Sequence, residues 1–468
     1  MKQIPAGQTE FNKTFVPLGS YVISNSTVMR KTTLILLYFT CCTLLLVACR
    51  TGPVNLFKTA SPHEIYKHKL SASGLDKTAM GRAWMDTSNQ VLLSAIAIKL
   101  PYKESGYFAA ERVPAASFRF SVVQGQKVTV QLTKVPEKNF MIYMDIWEVQ
   151  ENNSTNLVAS ADTTGASLSF EGRDDRSYLL RLQPELLRSG SYTLQITTGP
   201  SLSFPVKTSG KPRIESLFGV GRDANTRRHE GIDIFDKFHT PVIAAANGTV
   251  TRVSENKLGG LVVMMRPEGK EYTLYYAHLD KQLATEGQQV VVGDTLGLMG
   301  KTGNAATTPP HLHFGIYARN GAVNPLPYVN PVVLNPPPIQ APLANLNATV
   351  RSRAKSVLYE RDEPGGKALA TLPSETVVHV EAAVSSWYKV TLPNGQAGYI
   401  QSRDVLPVTS PLRKVKLNPN QTALYDQPGS TAAVKKNMKA GKDVDLLGRF
   451  DSYFLVRDDQ EEIGWLRP

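Results

Sequence analysis

The sequence predicts a mainly β, multidomain protein: an N-terminal β-sandwich, a central all-β unit and two small C-terminal barrels. Three observations carry that prediction. Short runs rich in β-branched and aromatic residues are bounded by turn residues, in keeping with 30 prolines and 34 glycines among 468 residues. A chain of that length asks for about three domains. Late in the chain, a set of aromatic, apolar and glycine positions recurs at a fixed offset. With 42% hydrophobic and 20% charged residues, the chain has the material for packed cores and is no disordered tail. Its net charge of +12 favours anionic surfaces such as lipid headgroups or carboxylate-bearing polymers. No arginine-rich helix or aromatic RNA-binding signature accompanies the charge, so nucleic acid is not expected as a partner.

Residues 1–48 read as a signal segment. All three cysteines, Cys41, Cys42 and Cys49, fall in "MRKTTLILLYFTCCTLLLVACR", where Arg30 and Lys31 precede an apolar run too short for a comfortable membrane span. Nothing before Met29 is needed for such a segment, which makes Met29 the expected start. The run ends Leu46-Val47-Ala48-Cys49. That tetrapeptide resembles the bacterial lipobox, in which the signal is cut before the cysteine and the new terminal cysteine carries lipid. A plain N-terminal membrane anchor is the alternative, and both readings export the rest of the chain. With Cys49 lipidated, the exported part holds no disulfide and must rely on its cores.

Residues 49–112 read as a linker with helical content. There "SPHEIYKHKL" has the spacing H-E-x-x-x-H, whereas a helical zinc pair needs i and i+4. His63 and His68 diverge around a helix, and Ser61, Pro62 and Glu64 read as N-cap, first helical residue and capping-box partner. From 113 to 200, strands such as "FRFSVVQGQKVTVQL", "NFMIYMDIWEV" and "SGSYTLQITTG" predict an antiparallel sandwich.

The block 207–330 carries the chemistry. Four of the eight histidines lie in it in distinctive surroundings: His229 in "RRHEGIDIF", His278 in "LYYAHL", and His311 with His313 in "PPHLHF". In a β-strand, i and i+2 share a face, so His311 and His313 should project side by side. His229 and Asp233 have helical spacing, but Gly231 and the β-branched Ile232 and Ile234 argue for a loop running into a strand. "TPVIAAANGTVTRV", a hairpin turning at Pro267 to Gly269, and "GQQVVVGDTLGLMGKTG" complete an all-β unit.

His229, Glu230, Gly231 and Asp233, then Tyr276-Ala277-His278-Leu279, then "GKTGNAATTPPHLHF", together resemble the lysostaphin-type (LytM-like) zinc endopeptidases that cut bacterial cell-wall peptides. The resemblance implies His229, Asp233 and His313 as ligands of one Zn2+, and His278 and His311 as catalytic histidines. One departure is His239 in "FHTPV", where the family commonly has glycine. A left-handed backbone there would tolerate histidine better than most residues. Two imidazoles and one carboxylate leave an open zinc position for water, whose pKa falls to about 7. The two remaining histidines can then orient water, hold an oxyanion and move a proton to the leaving amine.

Residues 331–345, "NPVVLNPPPIQAPL" with its flanks, predict a semi-rigid extended spacer. Beyond it, Leu358-Tyr359 recurs as Leu424-Tyr425, Trp387 as Tyr453, Val390 as Val456 and Gly398-Tyr399 as Gly464-Trp465, each 66 residues on. The two copies, 346–409 and 412–468, resemble bacterial SH3-like domains, which often bind wall peptides beside such hydrolases. For Trp387 and Trp465, core packing and wall binding are equally open, so no binding residue is named in the repeats. Two functions compete: a zinc endopeptidase acting on peptidoglycan cross-links, held to a membrane on the periplasmic side of a Gram-negative envelope by lipid on Cys49, and a non-catalytic peptidoglycan-binding scaffold or amidase activator. All five expected site positions are filled, which favours the enzyme. A general secreted protease would leave the repeats without a purpose.

Overall fold

The computed structural model describes residues 60–467 apart from 163, 165, 166, 209, 212, 223, 420 and 421. The signal segment and Cys49 lie outside the described residues, among which no helix is long and apolar enough to cross a membrane. The first helix, Pro62–Ala72, has the expected N-cap, with Ser61 Oγ accepting from the Glu64 amide at 3.2 Å, but the Glu64 carboxylate accepts from Lys67 at 3.2 Å instead of closing a capping box. His63 is buried, stacked on Trp84 at 4.8 Å, and donates from Nε2 to Gln183 Oε1 at 2.7 Å, whereas His68 is exposed. The pair is structural and holds no ligand in common. A second helix, Ala79–Leu93, fixes this layer to the sandwich through Trp84 Nε1, which donates to the Pro184 carbonyl at 2.9 Å.

The sandwich behind the helices contains two strands more than expected, of which Ile96–Ala97 runs parallel to Ala116–Val122. Tyr102–Phe108, in the segment read as linker, pairs along its whole length with Gly190–Pro200. Its sequence, YKESGYF, conceals the strand because a charged residue sits where an apolar one belongs. Glu104 is fully buried and is made tolerable by hydroxyls from Tyr102 (2.6 Å) and Tyr192 (2.7 Å). Burial, and then the Glu104 carboxyl, push both phenols well above their usual range, so they remain donors. Gly106 is required beside them, since a Cβ there would stand 2.6 Å from the Tyr192 ring.

The same strand joins the sandwich to the first repeat. Its outer edge pairs with Val377–Val384, Ser105 opposite Ala383 and Gly106 opposite Ala382, so one eleven-stranded sheet runs through both. Val384, Trp387 and Tyr399 of the repeat pack in the sandwich core with Tyr102, Phe118 and Leu194. The expected spacer reaches this joint: Val332, Val333 and Leu334 are exposed, but the Gln340 and Ala341 amides both donate to the Ser385 carbonyl.

Six strands lie in the same order in both copies of the repeat, and the first adds Val405–Pro407 beside Thr349–Ser352. In the first, Thr349–Ser352, Val377–Val384, Trp387–Thr391, Ala397–Gln401, Ser356–Tyr359 and Ala368–Leu372 lie in that order. In the second, the order is Arg413–Lys416, Asp443–Phe450, Tyr453–Arg457, Ile463–Leu466, Ala423–Tyr425 and Val434–Asn437. The 66-residue offset reaches the backbone itself. Positive φ recurs at Glu375 and Gly441, Ser385 and Asp451, and Gly395 and Glu461. A bulge between Val380 and Ala382 recurs between Leu446 and Gly448. Trp387 and Trp465 are 3% and 7% exposed, which assigns both to packing. Among the described residues no ladder joins the outermost strands of either copy, so the expected closed barrels are open sheets that curl over a core.

The central unit is a ten-stranded sheet. Its path runs Arg213–Ser216, Gly231–Phe235, His311–Ala318, Thr273–Gln282, Gly260–Pro267, Gly248–Asn256 and Gln289–Val290, all antiparallel. Ile232, Ile234, Leu274, Tyr276, Leu312, Phe314 and Ile316 form the buried side of these strands. The unit sits on the sandwich through Tyr328 over Gly125, whose φ of +86° and lack of a Cβ admit the ring, and through a Lys270–Glu171 ion pair.

Removing residues after Pro338 should therefore damage the sandwich as well as the repeats. It uncovers an edge of Tyr102–Phe108 and takes Trp387 and Tyr399 out of a shared core, where loss of one large aromatic typically costs about 3–5 kcal/mol. Calorimetry of the truncated chain should show the sandwich melting well below its temperature in the full chain; an unshifted transition would mean that the joint carries no stability.

Candidate metal centre and its cleft

Strand register builds the site. Gly231–Phe235 and His311–Ala318 run antiparallel, with Asp233 opposite His313 and Phe235 opposite His311. Period two puts both histidines on one face, and the register sets the Asp233 carboxylate beside His313. His229 precedes the first of these strands. Its amide donates to the Val220 carbonyl (2.8 Å), its carbonyl accepts from the Gly219 amide (2.8 Å), and its Nδ1 donates to the Leu217 carbonyl (2.9 Å). Gly231 makes room for the third ring: a Cβ there would stand 2.5 Å from the Phe314 carbonyl oxygen and 2.7 Å from His313 Cε1.

Three atoms converge as a result. His229 Nε2 lies 2.9 Å from His313 Nδ1 and 3.0 Å from Asp233 Oδ1, and His313 Nδ1 lies 3.1 Å from the same oxygen. Because a carbonyl only accepts, the contact to Leu217 makes His229 Nδ1 the protonated nitrogen and leaves the Nε2 lone pair facing the other two atoms. Tetrahedral zinc bonds of about 2.0–2.1 Å would hold neighbouring donors about 3.3–3.4 Å apart. Two imidazoles and one carboxylate at these spacings thus fit a single divalent cation, and they are the one such group found among the described residues.

The other two histidines face the same space with bare Nε2 atoms. His278 Nδ1 donates to the Thr302 carbonyl and His311 Nδ1 to the Pro309 carbonyl, each at 2.9 Å. Their ring centres are 4.9 Å apart, with His278 5.9 Å from His313. His278 reaches the site through a bulge: two steps from Leu261 to Val263 face three from Leu279 to Tyr276, and His278 takes φ 61°. Its amide is held by the Gly259 carbonyl at 2.7 Å. His239 has φ 67°, the left-handed backbone considered for it, and its Nε2 lies 2.6 Å from Asp280 Oδ2 on an exposed surface away from the cleft lining.

Electrostatics divide the roles. Burial alone would raise the Asp233 carboxyl, but its contacts with His229 and His313 hold it far below the usual carboxylate range, as an anion. Burial, then the neighbouring His311 and His313, lower His278 to about 4, so it stays neutral at physiological pH. Burial also lowers His313, against the opposing pull of Asp233. A cleft of about 560 Å³ opens over these groups, and Tyr275, Tyr317, Glu230 and Arg227 contribute to its walls. Tyr317 donates its hydroxyl to Glu230 Oε2 at 3.1 Å.

One participant escaped the sequence reading. Arg222 donates from one terminal nitrogen to Asp233 Oδ2 and to Ser216 Oγ, both at 2.6 Å. It stands on a short hairpin, Gly221 opposite Arg228 and Arg222 opposite Arg227, with Ala224 and Asn225 at positive φ. The positive-φ turn at Asn225 was the available sequence signal. Nothing in the spacing of Arg222 to Asp233 announced the contact.

Residues 227–325 match the family model described as Peptidase family M23. A Haemophilus influenzae protein named an uncharacterized metalloprotease is 41% identical over 119 residues, 24% of this chain and 24% of its own length. The L-Ala–D-Glu endopeptidase of Bacillus subtilis is 35% identical over 128 residues, 25% of this chain and 39% of its own. The murein hydrolase activator NlpD of Escherichia coli is 32% identical over 133 residues, 28% of this chain and 33% of its own. The chain therefore spans between a quarter and two fifths of the length of these relatives. Among solved structures, LytU is 35% identical, covering 25% of this chain and 85% of that one with a TM-score of 0.24. The segment that resembles peptidase family M23 contains His229, Asp233, His278, His311 and His313, so all five site positions lie within the matched part of the chain.

Proposed function

We propose that this chain is a zinc-dependent endopeptidase that cleaves peptide cross-links of bacterial peptidoglycan, tethered to a membrane through lipid on Cys49. The observation that carries the reading is the convergence of His229 Nε2, Asp233 Oδ1 and His313 Nδ1 beneath a cleft into which His278 and His311 direct two further lone pairs. In this reading His229, Asp233 and His313 hold one Zn2+, which when bound supplies a Lewis acid for the scissile carbonyl and acidifies water. His278 and His311 move the protons. Each has Nδ1 tied to a carbonyl, so Nε2 can take a proton from the attacking water and deliver it to the leaving amine nitrogen. A protonated imidazole beside the cleft can then donate a hydrogen bond to the developing oxyanion.

Peptidoglycan as the substrate is supported by the named relatives and by the paired repeats, which resemble SH3-like wall-binding domains. Any wall contact by the repeats must use residues other than Trp387 and Trp465, whose rings are buried. The likeness to a murein hydrolase activator sustains the second reading, a non-catalytic scaffold. Complete occupation of all five site positions weighs against it. Incubating the full chain with peptidoglycan sacculi and identifying the released peptides is the direct test.

Within the site the two neighbouring histidines should separate by role. His313→Ala should lose both zinc and activity, whereas His311→Ala should keep close to one zinc per chain while turnover falls about 10²–10⁴-fold. Metal analysis beside peptide-release assays decides this; zinc loss in His311→Ala with retention in His313→Ala would reverse the assignment. Gly231→Ala pushes the His313 ring out of place, so it should fold yet bind zinc poorly, and wild-type zinc content in that variant would contradict the ligand role. At the other end of the chain, Cys49→Ala should abolish processing or release the protein from membranes that otherwise retain it through salt washing. Unchanged fractionation would remove the lipoprotein claim.

A further inference from the structure

We propose that Arg222 is a positioning residue that keeps Asp233 a single-oxygen donor at the metal centre. The inference rests on the zinc reading above and adds to it a device for keeping a coordination position open. The two carboxylate oxygens of Asp233 face different partners. Oδ1 is the oxygen shared by His229 Nε2 and His313 Nδ1, at 3.0 and 3.1 Å. Oδ2 accepts from Arg222 at 2.6 Å, a charge-assisted hydrogen bond at the short end of its range, with the Asp233 side chain 8% exposed and that of Arg222 31%.

A carboxylate whose second oxygen is unengaged can swing both oxygens onto a cation and fill the place that water needs. The guanidinium prevents that by occupying Oδ2. The same nitrogen spends its other hydrogen on Ser216 Oγ, and Ser216 stands directly opposite Asp233 in the strand pairing. Arg222 cannot therefore swing towards the cation with the carboxylate it holds. Gly221 fixes the hairpin that presents it, since a Cβ at that position would collide with Asn225 Oδ1 at 1.7 Å. Ser216 Oγ also lies 3.4 Å from His229 Nδ1, so one arginine braces the surroundings of two of the three donor residues. Outer partners of metal-bound groups typically govern about 10–100-fold of affinity or activity.

Cobalt(II) replacing zinc reads the coordination directly, because four-coordinate sites absorb visible light much more strongly than five- or six-coordinate ones. The full chain and its Arg222→Met variant should both take up the ion. The variant's absorption should be several-fold weaker and its kcat on peptidoglycan fragments about 10–100-fold lower, with KM little changed. Arg222→Lys, which keeps a charged donor on a shorter and more freely turning side chain, should fall between the two. Ser216→Ala, the milder change if Arg222→Met folds poorly, should shift the spectrum in the same direction and to a smaller degree. An unchanged cobalt spectrum in Arg222→Met or, where that variant fails to fold, in Ser216→Ala overturns the proposal, because the carboxylate would then hold its geometry without help. The spectrum needs no turnover. A wild-type chain that binds cobalt but cuts nothing refutes the endopeptidase reading alone, and one that binds no cobalt refutes both.

Discussion

Three electron-rich atoms held about 3 Å apart repel one another unless a proton or a cation lies between them, and that constraint organises the central domain. The register of two strands puts Asp233 Oδ1 beside His313 Nδ1, and the backbone of Leu217, Gly219 and Val220 holds His229 Nε2 against them. A one-residue slip would turn His311 and His313 to the opposite face and remove the site entirely. The register is in turn secured by the apolar side of the same strands, where Ile232, Ile234, Leu312 and Phe314 are essentially inaccessible to water. Hydrophobic burial thus holds in place a cluster that electrostatics alone would disperse. The sequence pays for chemistry on one face of a strand with packing on the other.

The proton-handling groups obey a different logic. His278 is supplied by a bulge and a left-handed backbone, both of which interrupt the ladder. Strain of this kind persists only where the surroundings over-determine it. Here the Gly259 carbonyl holds its amide and the Thr302 carbonyl its Nδ1. The ring proposed to exchange protons is therefore aimed by its own strand and by the Gly259 and Thr302 carbonyls, and burial keeps it neutral.

Much of this was legible from residues alone, and the exceptions share a cause. The H-x-H pair, the glycine between His229 and Asp233, and the Ser61 N-cap of the first helix are local signals, and each has its expected structural counterpart. The strand Tyr102–Phe108 was hidden because its charge is balanced by Tyr192, 88 residues away. Arg222 was hidden because its acceptors are brought to it by a hairpin and a strand pairing. The joint between the sandwich and the first repeat depends on a sandwich strand laid along Val377–Val384, which no pattern within the repeat contains. Local periodicity reports which face a residue occupies; it is silent about which distant segment arrives to satisfy it.

The repeats show the same division from the other side. Across 66 residues the identities at the left-handed positions change, Glu375 becoming Gly441 and Gly395 becoming Glu461, while the backbone angles remain. Gly398 and Gly464 do keep their identity, and each has a leucine where a Cβ would go, Leu358 at 2.6 Å and Leu424 at 2.5 Å. A position that needs only an unusual φ can be met by several residues at modest cost, whereas one that needs empty space admits glycine alone. The same reasoning separates the aromatics: Tyr399 and Trp465 differ in shape yet both fill buried volume. What the two copies hold in common is therefore the means of folding. Any surface that sets one copy apart from the other has to be sought among the exposed positions at which the copies differ.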